Sequence, residues 1–209
     1  MIKVTIADNQ PVVHFGIKSY FKNHSKINIV GQFDNFSSVT TLLKNKSVDI
    51  LVLDLELEGL VSMISLKALI KDFPKTKIIL FSNLSEQIYT PNAIKAGVSA
   101  YVHKSSKLEK LESAILKVIE GEIFFSDDVR KKLAAISKQN KNERLYRKLS
   151  SREIEVLRYL SDGKKNNEIA RILNLNEKTI STYKLRLLNK LNVTNLVDLV
   201  NKAKTLDIV

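Results

Sequence analysis

Four side chains of complementary chemistry stand at the ends of four short apolar runs. Ile2–Ala7 leads into Asp8, Ile50–Asp54 closes on Asp54, Lys77–Ser82 closes on Ser82, and Ala100–His103 leads into Lys104. Two aspartates offer hard oxygens to a divalent cation such as Mg2+. A lysine and a hydroxyl can hold phosphoryl oxygens. A carboxylate oxygen is itself a competent phosphoryl acceptor when the incoming charge is neutralised. The rest of the inventory narrows the chemistry. The sequence has no cysteine, so thiolate metal sites and a cysteine nucleophile are excluded. Its three histidines, His14, His24 and His103, are scattered, which speaks against a zinc enzyme or a Ser-His-Asp hydrolase. There is no glycine-rich phosphate loop and no evident general-base histidine, so an enzyme is not expected. His14 reads as a partly buried or partner-facing side chain and His103 as structural.

The elements that must position these residues alternate over the first 121 residues. The apolar runs, with a fifth at Ile27–Phe33, have strand character. Between them lie stripes at helical spacing: Val12, Val13, Gly16, Ile17, Tyr20 and Phe21; Val39, Leu42 and Leu43; Met63, Leu66, Leu69, Ile70 and Phe73; Ile88 to Ala96; and Leu108, Leu111, Ile115, Val118 and Ile119. Five β–α repeats predict an α/β doubly wound, flavodoxin-like domain with five parallel strands. Such sheets collect their functional residues at the carboxyl ends of the strands.

With these motifs in order, residues 1–121 resemble the receiver domains of two-component response regulators. The residues that carry the resemblance are IADNQP, VLDLELEG around Asp54, ILFS ending at Ser82, and AYVHKS around Lys104. The resemblance implies that Asp54 is the phosphoacceptor, with a histidine kinase or phosphotransfer protein as donor. It implies that Asp8, Asp54 and the backbone carbonyl of Glu56 hold Mg2+. Ser82 would be the switch hydroxyl, Tyr101 the switch aromatic and Lys104 the phosphate-contacting lysine. Asn9 stands where the family has a second acid, and its one neutral oxygen makes it a poor ligand. Leu57-Glu58 replaces the usual Met-Pro, and Ser62 a later glycine. Glu56 or Glu58 could restore the missing acid. Weakened but retained phosphorylation is expected. The alternative is a phosphorylation-independent receiver that serves dimerisation.

Residues 122–148 read as a linker. Ser126, Asp127 and Asp128 start a short basic helix there, before the solvated SKQNKNERLYRK. Residues 149–209 have no strand pattern and divide into helices over Ser151–Ser161, Asn167–Leu173, Glu177–Leu191 and Leu196–Lys204. On the third, Ile180, Leu187 and Leu191 face a core, while Lys178, Thr182, Leu185 and Asn189 fall opposite, flanked by Ser181 and Arg186. A helix that presents hydroxyls, amides and cations can enter a major groove.

This segment resembles the LuxR-type helix-turn-helix of NarL/FixJ response regulators through LSSREIEVL, DG, NNEIA and KTISTYKLRLLNKL. It implies an all-α, four-helix DNA-binding domain whose fourth helix helps form a homodimer on promoter half-sites of double-stranded DNA. KTISTYK with RLLNKL is similar to the branch served by phosphorelay kinases. Thr179, Asn167, Lys190 and Lys184 are then expected at phosphates. Lys178, Ser181, Thr182 and Arg186 are expected at base edges. The composition agrees, with 34 basic against 22 acidic residues and a formal net charge of +12, a balance that favours a polyanionic partner. No apolar run reaches the ~18–20 residues of a membrane span, and the opening MIKVTIADNQ is not a signal peptide. A cytoplasmic location without membrane contact is expected.

Overall fold

The computed structural model describes residues 1–126, 129, 149–206 and 208. Two compact units divide the chain, Met1–Lys131 and Lys132–Val209. In the first, β1 (Ile2–Ala7), β2 (Ile27–Phe33), β3 (Ile50–Leu53), β4 (Lys77–Ser82) and β5 (Ala100–His103) form a parallel sheet of order β2-β1-β3-β4-β5. The crossovers are helices α1 (Pro11–Phe21), α2 (Phe36–Asn45), α3 (Met63–Asp72) and α4 (Glu86–Ala96), and α5 (Leu108–Ile119) follows the last strand.

Strands β1, β3, β4 and β5 are buried on both faces over most of their length, which is why they read as continuous apolar runs rather than as alternation, whereas in the edge strand β2 only Ile27 is buried. On one face Val4, Ile6, Ile50, Val52, Ile79, Phe81 and Val102 pack with Ile17 and Phe21 of α1 and with Leu111, Ala114, Ile115 and Val118 of α5. The alternate residues Leu51, Leu53 and Leu80 point the other way. Val39, Leu43, Leu66 and Leu69 of α2 and α3 are buried with them. The sequence stripe on α1 is narrower than expected: Ile17 and Phe21 are buried, whereas Val12 is largely exposed. Helix α4 starts two residues before Ile88 and runs through Pro91, whose missing N–H the helical spacing could not reveal.

Other boundaries move as well. Strand β3 closes at Leu53, one residue before Asp54. Past Gly121 the chain continues along β5: the N–H of Tyr101 donates to the Phe124 carbonyl at 3.1 Å, and the N–H of Phe124 donates to Ser99 at 2.9 Å. Phe125 is buried. The N–H of Ser126 donates to the Glu86 carboxylate at 2.8 Å. This segment shields the edge strand, a use for Phe124 and Phe125 that a linker reading missed. Most of the expected basic helix and linker lies outside the described residues.

The second unit contains α6 (Ser151–Ser161), α7 (Asn166–Leu173), α8 (Glu177–Leu191) and α9 (Leu196–Thr205). Ile154, Leu157, Ile169, Leu173, Ile180, Leu187, Leu191 and Leu199 are buried in it. Asn174 and Asn192 end α7 and α8 in the left-handed region, where asparagine is tolerated better than most residues. Among the described residues no helix is long and apolar enough to cross a membrane.

Gly97 caps α4 at φ +100°, and a Cβ there would lie 3.2 Å from Ile70 Cγ2. Gly97→Ala is therefore expected to destabilise the first unit by about 1–2 kcal/mol, read from the urea midpoint of its unfolding transition.

Candidate functional site

Parallel pairing delivers the four residues to one edge of the sheet. Strands β1 and β3 are direct neighbours, and the ladder continues past their ends: the N–H of Asp54 donates to the Ala7 carbonyl at 2.9 Å. On the other side of β4, the N–H of Lys104 donates to the Ser82 carbonyl at 3.0 Å. Asp8 and Asp54 therefore emerge side by side, with Lys104 across from them.

The Lys104 ammonium bridges both carboxylates, 2.8 Å from Asp8 Oδ2 and 2.7 Å from Asp54 Oδ2. All three side chains are nearly inaccessible to solvent. The remaining carboxylate oxygens are also used. Asp8 Oδ1 accepts from the N–H of Gln10 at 2.8 Å, and Asp54 Oδ1 from the N–H of Glu56 at 3.2 Å. Burial pulls the Lys104 pKa down, but the two carboxylates outweigh it and leave it above the usual lysine value. Removing one member of such a group leaves an uncompensated buried charge, at a cost of about 3–5 kcal/mol.

Ser82 and Tyr101 meet at one residue, Leu84. The N–H of Leu84 donates to Ser82 Oγ at 3.3 Å, and the Tyr101 hydroxyl donates to the Leu84 carbonyl at 2.7 Å. Both side chains are fully buried. Burial pushes the Tyr101 phenol well above its ordinary pKa. His103 ties the same loop from the other side. Its Nε2 donates to the Asn83 carbonyl at 2.9 Å, and its Nδ1 accepts from the N–H of Ser105 at 3.1 Å. That is a structural role, and its tautomer follows from the partners. His14 on α1 donates from Nε2 to the Asp8 carbonyl at 2.6 Å.

A divalent cation finds two suitable carboxylates here, Asp8 and Asp54, since they already converge on one positive charge. The third expected donor, the Glu56 carbonyl, accepts from Asn9 Nδ2 at 2.6 Å. The Glu56 and Glu58 side chains are exposed. Among the described residues no group of three His, Cys, Asp or Glu side chains could hold a metal.

In the second unit, α8 is set by Asn176, whose side chain accepts from the N–H of Lys178 at 2.8 Å. Ile180, Leu187 and Leu191 anchor its inner face. Lys178, Ser181, Thr182 and Arg186 are exposed together, as is Asn167 on α7, while Thr179 and Lys184 are half-buried. The two hydroxyls are turned onto their own helix: Ser181 donates to the Glu177 carbonyl at 3.2 Å and Thr182 to the Lys178 carbonyl at 3.0 Å. Asn166 Nδ2 donates to Ser181 Oγ at 3.2 Å, a tie from α7 to α8 that no sequence spacing signals. Leu185 lies 60% exposed in the middle of this polar face. The Arg186 guanidinium stands 5.9 Å from the centre of the Tyr183 ring.

An acid–lysine pocket on a five-stranded parallel sheet, followed by a four-helix unit with a polar, cationic helix, agrees with two family models. Residues 4–116 match the response regulator receiver domain, and residues 147–203 match the luxR family of bacterial regulatory proteins. The chain belongs to the response regulators with a LuxR-type domain. It is 32% identical to the Fimbriae Z protein of Salmonella typhimurium over 97% of this chain and 96% of that protein. It is 33% identical to a putative transcriptional regulator of Pseudomonas aeruginosa, covering 98% of each. The solved RcsB response regulator of Salmonella typhimurium superposes with a TM-score of 0.82 at 27% identity, covering 99% of this chain and 98% of that one. A second RcsB structure, bound to promoter P1flhDC in the presence of phosphomimetic BeF3-, gives 0.80 at 28% identity, covering 98% of each chain.

In the LuxR-type domain, Lys190 has a partner inside the protein that its expected role as a phosphate contact did not include. Its ammonium lies 2.7 Å from Glu153 Oε2. Glu153 is buried, and the same oxygen accepts from the N–H of Ser150 at 2.7 Å and from its hydroxyl at 3.0 Å. The Ser150 side chain in turn accepts from the N–H of Glu153, which completes a capping box at the start of α6. The S-x-x-E spacing was legible, but the cation arriving from α8 was not. Burial alone would raise the Glu153 pKa, but Lys190 and Ser150 outweigh it and hold it below its usual 4.5. A carboxyl depressed by folding contributes stability that is complete above about pH 4.5 and is lost as pH falls through the folded value. The thermal stability of this domain is expected to fall on acidification below about pH 4.5, and Glu153→Gln should flatten that limb. Lys190→Ala should lower the unfolding temperature at neutral pH, whereas a pure phosphate contact would leave it unchanged.

Proposed function

We propose that this response regulator is switched by phosphorylation of Asp54 and acts on promoter DNA as a homodimer in the cytoplasm. The observation that carries the reading is the buried Lys104 ammonium bridging Asp8 and Asp54. It supplies positive charge where a phosphoryl group would add negative charge. A histidine kinase or phosphotransfer protein is the fitting donor. An Asp54 carboxylate oxygen forms a bond to phosphorus as the donor's phosphorus–nitrogen bond breaks, and the electron pair leaves with the donor imidazole. Mg2+, held by Asp8 and Asp54, would neutralise the phosphoryl oxygens during this transfer.

The acyl phosphate then recruits Lys104 and competes for Ser82. Ser82 and Tyr101 both bond the backbone of Leu84, so movement of the hydroxyl toward the phosphoryl group loosens the loop that Tyr101 holds. The population shifts toward a form whose DNA-binding domains pair. The RcsB structures with promoter DNA and BeF3- support the DNA half of this reading. So does the exposed group Lys178, Ser181, Thr182 and Arg186 on α8, with Asn167, Thr179 and Lys184 beside it as phosphate contacts. Regulation, not turnover of a substrate, is the assigned role. Asn9 favours a second reading, a receiver that dimerises without phosphate.

Acetyl phosphate with Mg2+ is expected to add one phosphoryl group to the protein and none to Asp54→Asn, by intact mass. No gain in either protein would favour the second reading. On DNA, Thr182→Ala should change the sequences recovered from a randomised duplex pool. Lys184→Ala should weaken binding to all duplexes and reduce the salt slope by about 1. Equal effects of the two substitutions on both readouts would overturn the division into base and phosphate contacts.

A further inference from the structure

Asn9 is held at both ends of its amide. Nδ2 donates to the Glu56 carbonyl at 2.6 Å, and Oδ1 accepts from the N–H of Glu58 at 2.9 Å. One partner is an acceptor and the other a donor, so only one orientation of the amide satisfies both. Glu58 passes the restraint on, because its carbonyl accepts from the N–H of Phe36 at 2.8 Å at the start of α2. A single side chain after β1 thereby ties down the loop that follows Asp54, and this loop is tied in turn to the β2–α2 connection.

A carboxylate at position 9 would keep only half of this arrangement. One oxygen could still accept from the N–H of Glu58. The other would face the Glu56 carbonyl, two acceptors with no hydrogen between them. A cation placed between those oxygens relieves that repulsion. In this chain the amide N–H already fills the gap. The charge balance points the same way. Asp8, Asp54 and Lys104 together leave one net negative charge, and an acid at position 9 would leave two.

We propose that the Asn9 amide takes the structural place of a divalent cation beside the phosphoacceptor. The loop after Asp54 is held in its working position without metal, and the pocket's affinity for divalent cations is kept low. The inference deepens the reading of Asp54 as phosphoacceptor and rests on it only for its consequence, a receiver whose loop geometry is independent of Mg2+ supply.

The test is cation binding and thermal unfolding of the full chain, with Mg2+ by calorimetry and Mn2+ by electron paramagnetic resonance. The unchanged protein should gain little unfolding temperature from millimolar Mg2+. Asn9→Asp should unfold earlier in chelator, recover with Mg2+, and bind the cation about tenfold more tightly or better, a change of about 1.4 kcal/mol. Asn9→Ala should unfold earlier without recovering, since it loses the tie and adds no charge. Two results would overturn the proposal: strong Mg2+ stabilisation of the unchanged protein, or Asn9→Asp binding and unfolding indistinguishably from it. The first needs no variant, so a poorly folding Asn9→Asp leaves the proposal exposed to refutation. Acetyl phosphate labelling of the same samples is read separately. Its absence would remove Asp54 as phosphoacceptor and leave the cation result standing.

Discussion

Two carboxylates emerge from adjacent parallel strands into a space closed to solvent, and one ammonium keeps them there. The Lys104 contacts to Asp8 and Asp54 are the constraint to which the carboxyl edge of the sheet is built. Charges so far from water are tolerated only when paired and hydrogen-bonded. The pairing requires β1 beside β3 and β5 two strands away, so that Lys104 reaches across the end of β4. It also requires backbone N–H groups at Gln10 and Glu56 turned toward the outer carboxylate oxygens. The loops after β1 and β3 are shaped by that demand.

The same edge supplies a mechanical element. Ser82 and Tyr101 are far apart in sequence, yet both hold the backbone of Leu84, one at its N–H and one at its carbonyl. His103 holds the adjacent Asn83 carbonyl. On the proposed reading of Asp54 as phosphoacceptor, a change of charge there would bear on a loop whose hydrogen bonds are few and specific. Such a loop has discrete arrangements rather than a continuum, because a buried hydroxyl without its partner is unfavourable.

The LuxR-type domain solves a related problem at a buried acid, Glu153. Glu153 closes the capping box of α6 and receives Lys190 from α8. Lys190, which reads as a phosphate contact in the linear sequence, has an internal carboxylate as its neighbour. The exposed face of α8 presents Lys178 and Arg186, with Leu185 as an apolar element among them.

The sequence by itself determined the alternation of strands and helices, the residues at the strand ends and the inward stripe of α8. These follow from local periodicity, which burial enforces every second residue in a strand and every three to four in a helix. It also marked Asn9 as a departure from the acid found there in the receiver family. Tertiary structure alone decided what Asn9 does, since its partners Glu56 and Glu58 lie nearly fifty residues away. It decided the partner of Lys190 and the covering of β5 by Phe124 for the same reason. A polar side chain carries its chemistry in its type, but its partner is chosen by the packing of distant segments.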